Sequence, residues 1–345
     1  MKCKRCGFPK VEGIEFVDGV CQACLNFEQR SHVNWEMREK ELEEILKQHR
    51  GKKPYDCAIA VSGGKDSHWL LNKLVELGMN PLLITVMDRF THTRAGQHNF
   101  NNLLKKHNNI MYTINMDTFV KSTRWAFEQL GQPLKFTEYA IYTVPYQICK
   151  EKDIPLLFFG ENAAYEYGAT DQDGYIANGQ VSNLVKQMRE EHTWWKEGGT
   201  ARALDEIWTA VWSTPLTIYM SYFYPWSSTE HLKVAKSMGF KTLEGEWDRE
   251  GCCEDYEQID SYGYVAHLWF RYPRLGFQRV TDIATRRVRE GTWSLRSAED
   301  IIKDRDSDLD SKAVVDFKKV LGYTNEDFWE IVNHASWNKH YNKGD

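Results

Sequence analysis

The chain has 345 residues, 42% of them apolar and 27% charged, and a formal net charge of −5. That length suffices for roughly two ordinary domains with a large core, which excludes disordered, collagen-like and disulfide-stapled miniature classes. The mildly acidic balance argues against a nucleic-acid surface, so no nucleic acid is expected as a partner.

Four of the eight cysteines, Cys3, Cys6, Cys21 and Cys24, form two C-x-x-C pairs near the N-terminus. Four thiolates in two tight pairs suit one tetrahedral metal, with zinc expected first although iron takes the same ligands. A complete sulfur set leaves no open coordination position, so residues 1–30 read as a folding clamp, not as a catalytic metal centre. No apolar run precedes the first pair, and none reaches about 18 residues, so neither a signal peptide nor a transmembrane segment is expected. The setting is read as cytoplasmic and reducing.

Residues 31–54 are a linker helix, with Trp35, Leu42, Ile45 and Leu46 as its apolar stripe and Gly51 as its stop. Strands and helices then alternate. Strands are expected at 55–61, 81–87, 110–114 and 155–159, and helices at 67–77, 96–107 and 118–130. Apolar runs separated by helical patterns imply βαβ units, so 55–173 is an α/β core with a parallel sheet flanked by helices. Residues 174–228 read as a substrate-region insertion with helices at 181–191 and 203–211. Residues 229–345 supply the remainder of the core and a mostly helical C-terminal region, with helices at 229–238, 255–268, 279–290, 297–305, 310–321 and 325–333.

Ser62-Gly63-Gly64-Lys65-Asp66-Ser67 stands where the first strand hands over to a helix. Two glycines let backbone amides approach an anion, and the uncovered helix N-terminus adds its positive end. Lys65 meets phosphate charge, Ser62 and Ser67 offer hydroxyls, and Asp66 holds magnesium or organises the turn. The spacing is neither that of a Walker A loop nor GxGxxG.

SGGKDS resembles the signature of the PP-loop ATP pyrophosphatases, whose fold is that of the adenine nucleotide alpha-hydrolases. The resemblance implies that residues 62–67 cradle the phosphates of ATP with Mg2+, beside Val61 and Met87-Asp88. The order of motifs along the chain is similar to that of the N-acetyl sugar amidotransferase family (WbpG/PseA type). It comprises the Cys3/Cys6 pair, Gly19-Val20-Cys21 with Cys24, SGGKDS, Gly160-Glu161-Asn162, and the arginine-rich stretch from Pro273 to Gly291. The chain departs from the family pattern at Gln278, where glycine is usual. The family resemblance implies adenylation of an acetamido oxygen on a nucleotide-linked N-acetyl sugar and transfer of ammonia to give an acetamidino group in surface-glycan synthesis. It also implies a separate glutamine amidotransferase pair resembling HisH and HisF as the ammonia source.

Candidate catalytic residues are therefore Lys65, Asp66, Glu161 and Asn162. Candidate ATP-binding residues are 62–67, Asp88, Arg274 and Arg279, with Asp282, Arg286 and Arg289 close to the Arg279 face of one helix. Cys149 reads as a core residue on a helix, and His267 as a core or surface histidine. Two alternatives stand beside amidotransfer: an ATP-dependent tRNA or cofactor thiolation enzyme, and a non-catalytic nucleotide-binding zinc protein. The first needs a thiol near the phosphate loop. The second needs nucleotide binding without pyrophosphate release.

Overall fold

A computed structural model of the chain describes residues 1–160 and 215–341. Glu161, Asn162 and the 181–191 and 203–211 helices expected from the sequence lie outside the described residues. The knuckle begins with a short antiparallel pair, β1 (Phe16–Val17) and β2 (Val20–Cys21), and runs into α1 (Gln22–Gln29). The linker helix α2 (Trp35–Lys47) starts at Asn34, whose side chain accepts from the Met37 amide, and buries Leu42 and Leu46.

The core is a five-stranded parallel sheet. Its strands are β3 (Cys57–Ala60), β4 (Pro81–Met87), β5 (Asn109–Thr113), β6 (Leu156–Phe159) and β7 (Leu216–Tyr219). Their spatial order is β5-β4-β3-β6-β7. The chain moves outward from β3 to β5, then returns to the other side of β3, and this reversal opens a crevice at the carboxyl ends of β3 and β6. Ligands of open α/β sheets bind at such a point. The helices α3 (Lys65–Glu76), α4 (Arg94–Leu104), α5 (Met116–Leu130) and α6 (Lys135–Glu151) flank the sheet.

Alternation along β3 divides the core. Cys57 and Ile59 join Leu42, Leu46, Leu70 and Leu74 on one face, and Ala58 faces the larger cluster on the other. That second cluster is aromatic, with Phe127, Phe270, Phe317 and Phe328 fully buried. It is closed by the C-terminal helices α7 (Ser228–Ser237) and α8 (Tyr262–Trp269) and by the last two of the chain, while α9 (Arg271–Leu275), α10 (Arg279–Arg289) and α11 (Leu295–Arg305) lie outside that cluster; the last two are α12 (Ser311–Leu321) and α13 (Asn325–His334).

Two expectations change. The fifth strand lies inside 174–228, so the end of that segment belongs to the sheet and not to an insertion; its Leu-Thr-Ile-Tyr run is too short to stand out among the aromatics that follow. The helix expected over 255–268 begins only at Tyr262. Residues 255–261 form an irregular segment whose polar side chains point to partners elsewhere in the chain.

Candidate active site

The phosphate loop occupies the crevice. Gly63 has φ +89, and a Cβ there would lie 3.3 Å from the Phe100 backbone, so the turn needs glycine on both counts. Ser67 Oγ accepts from the Ser62 amide at 3.0 Å, which closes the loop on itself. Helix α3 begins at Lys65 with no side chain capping it, leaving its first amides to an incoming anion.

A cleft of about 560 Å³ opens over this loop. Its floor includes Ser62, Gly64, Lys65 and Asp66, and the ends of β4 supply Thr85 and Asp88. The opposite wall comes from the C-terminal half, through Glu257, Asp260, Arg279 and Arg286. Thr85 Oγ1 is buried with no hydrogen-bond partner, a group available to a ligand.

Glu257 is the centre of the charge network. It is 5% exposed and lies 3.2 Å from Lys65 Nζ, 2.5 Å from Arg279 Nη2 and 2.6 Å from Arg286 Nη2. Ser228 Oγ donates to it at 3.1 Å. Burial works against its charge, but Lys65, Arg286 and Arg279 outweigh that and hold its carboxyl well below the usual range. Burial likewise opposes the Lys65 ammonium, yet Asp66 and Glu257 raise its pKa. Asp66 contacts Lys65 at 2.8 Å with one oxygen and His231 Nδ1 at 2.6 Å with the other. Despite burial, the Lys65 charge and the His231 hydrogen bond keep its pKa low. Lys65, Arg279 and Arg286 converge beside the loop, three cations placed where phosphate oxygens would meet them.

Asp88 and Asp260 form a different neighbourhood. Asp88 accepts from the Phe90 amide and from Ser261 Oγ, both at 2.8 Å, and burial raises its pKa. Asp260 is pushed up to about 7, first by burial and then by the Asp88 charge. Deeper along the wall Glu138 meets His267 Nε2 at 3.1 Å. Burial opposes the Glu138 charge, and the His267 hydrogen bond more than compensates, lowering its pKa.

Among the residues named from the sequence, Ser62, Gly64, Lys65, Asp66, Asp88, Arg279 and Arg286 line one cleft. Gly63 and Ser67 shape the loop beneath it. Arg274 is not among the lining residues; it sits on α9, where burial and Arg271 lower its pKa. Asp282 pairs with Arg271 and with Arg279, the latter at 3.6 Å. Glu257, His231, Glu138 and Asp260 were not singled out from the sequence.

The knuckle supports this wall from behind. The four Sγ atoms all lie within 4.8 Å of one another, with Cys3–Cys24 at 3.8 Å and Cys6–Cys21 at 3.7 Å. Zinc–sulfur bonds of about 2.3 Å in tetrahedral array separate sulfurs by about 3.8 Å, so the set fits zinc. Phe8 packs edge-on to Phe277 at 5.3 Å, and Arg289 of α10 reaches Cys6 Sγ at 3.7 Å. The metal clamp therefore braces the helix that carries Arg279 and Arg286.

A parallel sheet with SGGKDS at its switch point defines an α/β protein of the PP-loop class. Residues 250–345 match the family model described as "LPS biosynthesis protein WbpG-like, C-terminal domain". No curated protein matches the chain. Among solved structures, NMN synthetase from Francisella tularensis is similar at 10% identity, with TM-score 0.36 over 86% of this chain and 96% of that one. A predicted subunit of tRNA methyltransferase from Methanocaldococcus jannaschii is similar at 12% identity, with TM-score 0.30 over 52% of this chain and 73% of that one.

Proposed function

We propose that the protein is an ATP-dependent amidotransferase acting on the acetamido group of a nucleotide-linked N-acetyl sugar in surface-glycan synthesis. One observation carries the reading: the segment that matches the WbpG-like domain contributes Glu257, Arg279 and Arg286 to the same cleft as Lys65 and Asp66.

On this reading the acetamido oxygen attacks the α-phosphorus of ATP, the bond to the β-phosphate breaks, and pyrophosphate leaves. Ammonia then bonds to the activated carbon, sheds a proton, and the C–O bond to AMP breaks to leave an amidine. Amide oxygen is a poor leaving group as oxide, and AMP is a good one. Lys65, Arg279, Arg286 and the open α3 amides bind and neutralise the phosphates, and Asp66 orients Lys65. Mg2+ supplies further charge neutralisation when bound, and Asp88 and Asp260 are the oxygen donors the cleft offers it. Ammonia would come from a separate pair resembling HisH and HisF, in the cytoplasm. Among the described residues no helix is long and apolar enough to cross a membrane.

The thiolation alternative lacks support at the site. Cys149 is buried on α6 with its thiol pushed up to about 12 by burial, and no cysteine lines the described cleft.

The deciding experiment supplies ATP, Mg2+, ammonium and a panel of UDP- and CMP-linked N-acetyl sugars. Product about one mass unit lighter than substrate, with AMP and pyrophosphate in equal amounts, is the expected result. Absence of AMP with every acetamido donor overturns the reading. Labelled glutamine, with and without the candidate glutaminase pair, tests the ammonia source.

A further inference from the structure

Glu257 differs from the other acids that touch the cations of the cleft. Each cation has a second carboxylate of its own: Lys65 has Asp66 at 2.8 Å, Arg279 has Asp282 at 3.6 Å, and Arg286 has Glu254 at 3.8 Å. Asp282 and Glu254 are held in turn from behind, by Arg271 and by Arg287, and neither lines the cleft. Arg279 also donates Nε to Gln258 Oε1 at 3.1 Å. Glu257 does line the cleft, and among the described residues it is the one carboxylate that all three cations share.

Two features make that shared carboxylate a counterpart of phosphate. Lys65 Nζ, Arg286 Nη2 and Ser228 Oγ all converge on its Oε1, while Arg279 Nη2 takes Oε2. A carboxylate oxygen offers about two lone-pair sites, so three partners crowd Oε1, whereas a terminal phosphate spreads the same partners over three oxygens. The second feature is that the backbone here is fixed while the side chain is exchangeable. Arg249 Nη1 donates to the carbonyl of Glu257 at 2.8 Å and to that of Gln258 at 3.2 Å. The carboxylate itself is tied only to groups that a phosphate can also meet, and rotation about the side-chain bonds moves it without moving the segment. A phosphate oxygen and this carboxylate are anions directed at the same guanidinium nitrogens, so entry of one displaces the other.

We propose that Glu257 is an internal competitor of pyrophosphate. Between turnovers its carboxylate holds Lys65, Arg279 and Arg286. When ATP enters, the β- and γ-phosphates take those cations and the carboxylate rotates aside. Once the bond between the α- and β-phosphates has broken, its return drives pyrophosphate out. The exchange makes and breaks no covalent bond; ion-pair partners are swapped. The cations keep Asp66, Asp282 and Glu254 throughout, so the site stays assembled while Glu257 and phosphate change places. The inference rests on the adenylation half of the reading above, in which pyrophosphate is the leaving group, and not on which acceptor is adenylated.

The test measures pyrophosphate binding to the full chain with Mg2+ by calorimetry, and pyrophosphate dissociation by stopped flow. Glu257→Gln keeps the shape and removes the competing charge, so pyrophosphate binds about tenfold or more tightly than to the parent, with the gain mainly in slower dissociation. Glu257→Asp retains the charge that the three cations need for stability but draws it back by one methylene. It shifts affinity in the same direction by a smaller factor, and it carries the test if the Gln variant does not fold. An acid that only positions the cations gives the opposite sign, because its loss disorders the phosphate seat. Pyrophosphate binding that is unchanged or weaker in the variants, or that is absent from all three proteins at millimolar concentration, overturns the proposal. Tighter binding in the variants, with no amidine formed by the parent from any acetamido donor, counts against the amidotransfer reading alone.

Discussion

His231 Nδ1 lies 2.6 Å from Asp66 Oδ1, so a helix that follows the last sheet strand holds the acid of the phosphate loop. The imidazole is itself fixed: it stacks on Trp69 at 4.4 Å and meets the edge of Trp226 at 4.3 Å. With one oxygen on His231 and the other on Lys65, Asp66 has little freedom, and Lys65 inherits that order. A hydrogen bond to a charged group is worth about 1.5–3 kcal/mol. His231→Gln should therefore weaken ATP about ten- to hundredfold, measured by calorimetry, while Trp69 and Trp226 still pack the helix. Unchanged affinity would show that His231 serves packing alone.

Glu257 makes a sharper case, because its removal takes away the carboxylate that Lys65, Arg279 and Arg286 share. Breaking a buried ion pair by deleting one partner costs about 3–5 kcal/mol. Glu257→Gln should lose stability of that order in chemical denaturation. Added ATP should restore part of the loss, since its phosphates return negative charge to Lys65, Arg279 and Arg286. A destabilisation that ATP leaves untouched would mean the three cations are structural and not a phosphate seat.

The knuckle acts at a distance through one aromatic contact. Phe277→Ala keeps all four thiolates but removes the ring that Phe8 packs against, at a cost of about 3–5 kcal/mol for a buried phenylalanine. Metal analysis should still find one zinc per chain, with ATP binding weakened as α10 loosens. Chelation of the zinc should produce the same weakening together with local unfolding of the N-terminal region. Zinc loss with ATP affinity intact would separate the clamp from the site.

The phosphate loop and the cysteine pairs were legible in the sequence because each is local: six consecutive residues, and two C-x-x-C units whose spacing alone brings sulfurs together. Most strands of the sheet were legible for the same reason, as short apolar runs between helical patterns. Glu257, Asp260 and His231 were not. Each does its work across the fold, and Glu257 and Asp260 fall in a stretch whose periodicity resembles the start of α8. Arg279 and Arg274 show the limit from the other side. They belong to one arginine-rich motif, yet Gly276 at φ +79 ends α9 and α10 starts afresh, so only Arg279 turns into the cleft.

Asp260 makes stability depend on pH. Its carboxyl is pushed up to about 7 by burial and by Asp88, whereas the unfolded chain titrates near 3.9. Between those values the folded state holds a proton that the unfolded state has lost, so this group's contribution falls as pH rises from about 4 to 7. Asp260→Asn removes that dependence. The variant should gain a few degrees in melting temperature relative to the parent on going from pH 5 to pH 8. A difference in melting temperature that stays flat across this range would refute the linkage.

Glu138 completes the chemistry proposed for the cleft. When ammonia adds to the activated carbon, its nitrogen carries a surplus proton, and AMP leaves readily only after that proton is gone. Glu138 lines the cleft as a carboxylate, and His267 Nε2, at 3.1 Å, fixes its orientation. The amide of Leu134 points at His267 Nδ1 from 3.5 Å, which favours the tautomer with hydrogen on Nε2, so the imidazole donates to the carboxylate. Glu138→Gln keeps the shape and removes the base. It should lower amidine formation about hundredfold, a usual loss for a positioned base, while ATP–pyrophosphate exchange driven by the acceptor continues. Rapid-quench measurement of both steps separates the outcomes, since equal loss of exchange and transfer would place Glu138 in acceptor binding instead.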